Sequence, residues 1–104
     1  MYFTYIIRCK DESFYTGYTS NVERRMEEHK RGVNSKYTKA KGFERLEVYF
    51  VTYTRSNAMK LESYIKKQSR KKKKFIIENP ELFIKELENS HYYTVGELIK
   101  SQSS

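Results

Sequence analysis

An arginine, a histidine, a lone glutamate and several tyrosines are spaced in this chain so that they could work together on a phosphate. In "NVERRMEEH", Arg25 and His29 stand four residues apart. On a helix they share a stripe with Val22 and Met26, the side that should turn inward. A later segment repeats the oddity, with Glu62 set among Ala58, Leu61 and Ile65. Charged side chains are almost never fully buried without a partner. Arg25 and Glu62 therefore either pair with each other across two helices or line a cleft.

The second arrangement has chemical meaning. Hydrolysis of a phosphodiester needs a cation to steady charge on the transition-state oxygens, a base for the attacking water, and usually a metal as Lewis acid. Arginine suits the first role because its planar fork matches phosphate oxygens. One carboxylate can hold Mg²⁺ when substrate oxygens and water fill the other positions. The base can be a histidine, or a tyrosine whose pKa falls beside cations and a metal. Other chemistries lack their parts: the sequence has no Gly-rich phosphate loop and no Ser-His-Asp order. Its two histidines and the single Cys9 do not make a zinc cluster. Cys9 reads as a small hydrophobe on a strand, and His91 as a residue of the tail.

These residues need elements to hold them. "YFTYIIRC" (2–9) is β-branched and aromatic and reads as a strand; "KDES" is a turn; "FYTGY" (14–18) is the returning strand of a hairpin. Ser20, with Glu23 three residues on, has the form of a capping box opening a helix to about Arg31, and Gly32 is its natural stop. Residues 33–45 show no periodicity and read as a loop. "LEVYFVTYT" (46–54) is apolar on both faces, which places it inside the sheet rather than at an edge. "RSNAMKLESYIKKQ" is an amphipathic helix, 70–77 a further basic helix, and Asn79-Pro80 the cap and first turn of another over 80–88. After Asn89 only "TVGELIK" has any pattern before a Ser/Gln tail that should fray. The expectation is an α/β fold of the α+β type. It has a three-stranded, largely antiparallel sheet flanked by helices in the order β-β-α-β-α-α.

Composition fits a polyanionic partner. At 104 residues the chain makes one modest core. Its net charge is +8, and seven of the nine residues from Lys66 to Lys74 are basic. Charge clustered in this way favours nucleic acid over mere solubility. The apolar run in "MYFTYIIRC" is too short for a signal peptide and nothing reaches the length of a membrane span, so a soluble, cytoplasmic protein is expected.

Tyr5, then Tyr15-Thr16-Gly17, then "NVERRMEEH", "SKYT" at 35–38 and Glu62 on a later helix resemble, in order, the GIY-YIG nuclease superfamily. The chain looks most like its small stand-alone bacterial members, and is similar to the catalytic domain of structure-specific endonucleases. The resemblance covers residues 2 to about 77. It departs from the motif at Phe3-Thr4-Tyr5, which lacks the glycine and isoleucine, and at Thr16 in place of isoleucine. Carried over, it implies that Tyr5 and Tyr15 line the active site and that Arg25 contacts the scissile phosphate. It also implies that His29 joins them, that Glu62 binds a single divalent ion, Mg²⁺, and that Gly17 lets backbone or substrate pass closely. Tyr18, Lys36, Tyr37, Lys66, Lys67 and Arg70 are further candidates for holding substrate.

The function expected from these residues is a Mg²⁺-dependent endonuclease on DNA, with RNA possible, of structure-specific type in repair or recombination. The alternative is a non-catalytic nucleic-acid-binding module that kept the fold. The domain is expected at 1–77, with a C-terminal helical extension and frayed tail at 78–104. A monomer or weak dimer without membrane association is expected.

Overall fold

The computed structural model describes residues 1–97. Strands β1 (Tyr2–Cys9) and β2 (Phe14–Thr19) form the expected hairpin. Its turn is closed by Asp11, whose Oδ1 accepts from the Ser13 N–H at 3.0 Å and the Ser13 hydroxyl at 2.6 Å, while Glu12 takes a left-handed conformation. Then follow α1 (Val22–Arg31), α2 (Lys36–Lys41), β3 (Phe43–Thr52), α3 (Arg55–Lys66), α4 (Arg70–Glu78), α5 (Pro80–Lys85), a 3₁₀ turn (Ser90–Tyr92) and β4 (Thr94–Val95).

All pairings are antiparallel in a four-stranded sheet ordered β2-β1-β3-β4. The α+β class and flanking helices are as expected, with one strand more than three. β4 pairs only at Phe50 and Val51, and a two-residue strand leaves no periodic trace in a sequence. It does give β3 a neighbour on each side, so the apolar character of "LEVYFVTYT" matches its interior place.

Three expectations are corrected. The N-cap of α1 is Asn21 rather than Ser20: the Asn21 Oδ1 accepts from the Arg24 N–H at 3.0 Å, while Ser20 is exposed one position too early. Residues 33–45 are not a loop. Ser35 caps α2 by accepting from the Thr38 N–H at 3.3 Å, and β3 begins at Phe43. α2 spans six residues, too few for an apolar repeat to show. The helix expected over 80–88 stops at Lys85, and Thr94–Val95 within "TVGELIK" is β4. The remainder of that segment and the Ser/Gln tail lie outside the described residues. Among the described residues no helix is long and apolar enough to cross a membrane.

Side chains along β1 alternate between two unlike faces. On one, Ile6 joins Val48, Phe50, Leu61, Ile65, Ile76 and Phe83 in the main apolar cluster under α3, α4 and α5. On the other, Tyr5, Ile7 and Cys9 pack with Tyr15, Met26, Tyr37, Phe43, Leu46 and Tyr49 beneath α1 and α2. This second face is aromatic and carries hydroxyls, and the candidate residues gather on it.

Candidate active site

Tyr5 stands at the middle of the sheet, opposite Gly17 on β2 and Tyr49 on β3. Gly17 has an ordinary φ; what it supplies is space. A Cβ built there would lie 2.5 Å from the Tyr5 hydroxyl and 2.8 Å from its Cζ. Gly17→Ala is accordingly expected to destabilise the fold by about 1–3 kcal/mol, because the buried phenol it strikes cannot swing away. Thermal denaturation measures this; an unchanged midpoint would mean that Tyr5 has another place to go.

α1 crosses above. Its i, i+4 spacing brings Arg25 and His29 down on the same oxygen: His29 Nε2 is 2.7 Å, and Arg25 Nε 3.3 Å, from the Tyr5 hydroxyl. His29 is buried at 1% exposure, set edge-on to Tyr5 and Tyr15 and stacked on Phe43. Its Nδ1 lies 3.0 Å from the hydroxyl of Thr38 on α2. Arg25 also donates through Nη1 to Glu28 at 2.8 Å and through Nη2 to the Asn34 carbonyl at 3.1 Å. Asn34 in turn donates to Glu28 at 3.3 Å. The helix-to-helix pair of Arg25 with Glu62 that the sequence left open is therefore not formed.

Glu62 sits on the flank of α3. Its neighbours Ala58, Leu61 and Ile65 enter the main core, while the Glu62 side chain is 19% exposed and pairs with Lys66 at 3.5 Å. Lys66 Nζ extends to 5.9 Å above the Tyr15 ring, which ties this flank to the tyrosine face around the edge strand β2. Tyr15 meets Tyr37 at 5.2 Å between ring centroids, and Lys36 is exposed at the start of α2. Tyr18 points to the other sheet face, where its hydroxyl accepts from Arg55 Nε at 3.2 Å and Nη2 at 3.1 Å. Arg70 lies 4.6 Å over the Phe14 ring, and Lys67 caps α3 in solvent. His91 is exposed in the 3₁₀ turn, against Tyr92.

Thr38, Glu28, Asn34 and Arg55 were missed in the sequence. Thr38 was visible only as the last residue of the "SKYT" stretch, with no role attached to it, and Arg55 meets Tyr18 across 37 positions with no local trace.

Burial sets the charge states. It pushes the Tyr5 hydroxyl up to about 12 against the opposing pull of Arg25, and it pushes His29 down to about 4, with Arg25 adding to the shift. Glu62 contributes to raising Tyr5, so its charge reaches the site. Burial opposes the Arg25 charge, but the Glu28 carboxylate and the Tyr5 hydroxyl outweigh it and hold the guanidinium pKa above its ordinary value. At neutral pH the centre is a neutral phenol and a neutral imidazole beside a fixed cation.

His29 gives a stability slope of known sign. Its folded pKa lies below the ordinary 6.5, so the unfolded chain binds the extra proton first. The contribution is complete above about pH 6.5 and is lost as pH falls towards 4, to a total of about 3 kcal/mol. Urea denaturation across that range should show the loss, and His29→Gln should flatten it.

The chain is similar to known proteins. The family model of the GIY-YIG catalytic domain matches residues 1–75. The UPF0213 protein FN1575 of Fusobacterium nucleatum is 44% identical over 88 residues, covering 85% of this chain and 88% of its own length. The UPF0213 protein YazA of Bacillus subtilis is 40% identical over 91 residues, covering 86% and 83%. Among solved structures, the solution NMR structure of the UPF0213 protein BH0048 from Bacillus halodurans is 39% identical, covering 75% of this chain and 84% of that one, with a TM-score of 0.49.

Proposed function

Because this chain belongs to the GIY-YIG catalytic domain family, a nuclease family with nucleic acid as substrate, we propose that it is a Mg²⁺-dependent endonuclease hydrolysing phosphodiester bonds in DNA. The observation that carries this reading is the convergence of Arg25 and His29 on one tyrosine hydroxyl, at 3.3 and 2.7 Å, on the sheet face next to Tyr15. Arg25 is fixed in position by three acceptors, one of them the Glu28 carboxylate, while keeping N–H donors on Nη1 and Nη2 that those bonds do not use. Such donors, held beforehand in a site of low dielectric, are what developing phosphoryl charge requires.

The residues fit one hard divalent cation. Among the described residues no three His, Cys, Asp or Glu cluster to enclose a metal. Glu62 offers a single carboxylate whose partner, Lys66, is a half-exposed lysine free to leave. That donor set matches Mg²⁺ completed by water and phosphate oxygens, and not zinc. When bound, the cation neutralises charge on the phosphate and polarises it for attack. Arg25 steadies the scissile phosphate, Tyr15 orients it, and Tyr5 with His29 handles the proton of the attacking water.

The flanking strand follows β2. Besides Arg8, which lies over the Phe14 ring and is paired with Glu47, three cations accompany it on aromatic rings: Arg55 at Tyr18, Lys66 at Tyr15 and Arg70 at Phe14. Together with Lys36, Tyr37 and Lys67 they grip phosphate without reading sequence. Residues 1–77 carry the proposed nuclease site and 78–104 follow as an extension, of which Phe83, Ile84 and Tyr93 pack into the same core. The whole acts as a cytoplasmic monomer or weak dimer on branched DNA in repair or recombination.

The test is incubation with supercoiled, branched and flap DNA, and with RNA, in Mg²⁺. Nicking or resolution of DNA supports the reading. Binding that weakens steeply with salt yet never cuts any substrate overturns it in favour of a non-catalytic module.

A further inference from the structure

We propose that Thr38 is a positioning residue: by accepting the Nδ1 hydrogen of His29, it leaves Nε2 bare to take the hydroxyl proton of Tyr5. Arg25 has no acceptor, so its Nε at 3.3 Å can only donate to the Tyr5 oxygen. The Tyr5 hydrogen then needs an acceptor of its own. Tyr5 is 1% exposed, and the His29 Nε2 at 2.7 Å is the acceptor within reach among the described hydrogen bonds. Were Nε2 protonated instead, the Tyr5 hydroxyl would accept twice and its own hydrogen would be buried unpaired, at the full desolvation penalty. With Nε2 accepting, the ring proton lies on Nδ1, and the Thr38 oxygen at 3.0 Å receives it.

Every group facing His29 agrees. Arg25 and Glu28 on α1 are already paired to each other. Tyr15 on β2 and Phe43 on β3 offer ring surface. Thr38 on α2 is thus the polar partner on the Nδ1 side.

The consequence bears on the reaction and rests on the nuclease reading. A neutral phenol is not a base, and Tyr5 cannot keep a charge where it is buried. It can accept a proton only while it gives one up. As the water oxygen bonds to phosphorus and the bridging P–O bond breaks, the water proton passes to the Tyr5 oxygen. The Tyr5 proton passes to His29 Nε2, and the leaving oxygen takes a proton from solvent. His29 is an imidazolium only in passing, still donating from Nδ1 to Thr38, because burial and the neighbouring Arg25 drive it to return the proton to solvent. His29 therefore acts behind Tyr5 rather than on the water itself.

The tautomer can be measured with no substrate present. Long-range ¹H–¹⁵N correlation on the ¹⁵N-labelled free protein should show His29 protonated at Nδ1 and bare at Nε2. Thr38→Val should shift the ring toward a mixture of tautomers and lower single-turnover cleavage by about 10–100-fold, the size of loss seen when a metal-bound histidine is deprived of its orienting partner. Thr38→Ser, which keeps the hydroxyl, should restore both. An Nε2-protonated His29 in the wild type overturns the inference, as does a Thr38→Val protein with unchanged ring signals. If Thr38→Val does not fold, the wild-type spectrum and Thr38→Ser still decide. Absence of cleavage in every form tells against the nuclease reading alone, because the ring signals answer the tautomer question separately.

Discussion

Arg25→Ala is expected to slow strand cleavage by about a thousandfold, the effect of removing a preorganised donor and a charge from one transition state. The geometry argues for so large a figure. Nε, Nη1 and Nη2 are each held by a separate acceptor, so the guanidinium is fixed before substrate arrives and reorganises little. Arg25→Lys should recover only a small part. An ammonium keeps the charge, but it is one point on a flexible stem and cannot meet Tyr5, Glu28 and Asn34 together while facing a phosphate. Single-turnover rates for the two variants, with thermal midpoints beside them, check this. A lysine variant as fast as wild type would mean that charge alone matters and the fork does not.

Glu62→Gln is expected to separate cutting from binding. The amide keeps the shape of the side chain but loses the charge that would hold Mg²⁺, and a bound metal is worth several kcal/mol of transition-state stabilisation. Cleavage should fall by at least about a hundredfold at ordinary Mg²⁺, with partial recovery only at high concentrations. Binding to the same DNA in the absence of metal should tighten. The substitution removes a negative charge next to the phosphates and frees Lys66, now 3.5 Å from Glu62, to face the strand. Cleavage and metal-free affinity thus move in opposite directions. Loss of both would point to simple damage to α3.

The site was legible where helical spacing alone decides position. Arg25 and His29 fall on one face because they are one turn apart, and an inward-facing charged stripe is conspicuous against Val22 and Met26. Glu62 was visible for the same reason, since Leu61 and Ile65 mark which side of α3 is core. The pairing of strands was less so. Tyr5 stands opposite Gly17, and Tyr15 opposite Ile7, so the two tyrosines are diagonal neighbours rather than facing ones. The hairpin could be read from residue types, but its register came from the Asp11–Ser13 turn. α2 was hidden because its six residues contain no apolar repeat, and with it went Thr38. β4 was hidden because its two residues are placed from elsewhere. Phe83, Ile84 and Tyr93 sink into the main cluster and draw the following segment alongside β3. Local pattern carries helices of ten residues well and cannot carry partners dictated by tertiary packing.

The sheet divides the labour of the molecule between its two sides. The side under α3, α4 and α5 holds the main apolar cluster, with the buried threonines Thr4, Thr16 and Thr52 beside it, and of the proposed catalytic and metal-binding groups it carries Glu62, on the flank of α3. The side under α1 and α2 holds the rest of the chemistry, with only Tyr5, Ile7 and Cys9 fully buried among strand residues of its cluster. An injury to one side need not spread to the other. The tyrosine face is free to change its reactive groups under selection while the aliphatic side keeps the chain folded. A small domain built this way tolerates loss of activity as an intact, nucleic-acid-holding protein, and it can acquire a new substrate preference without first acquiring a new core.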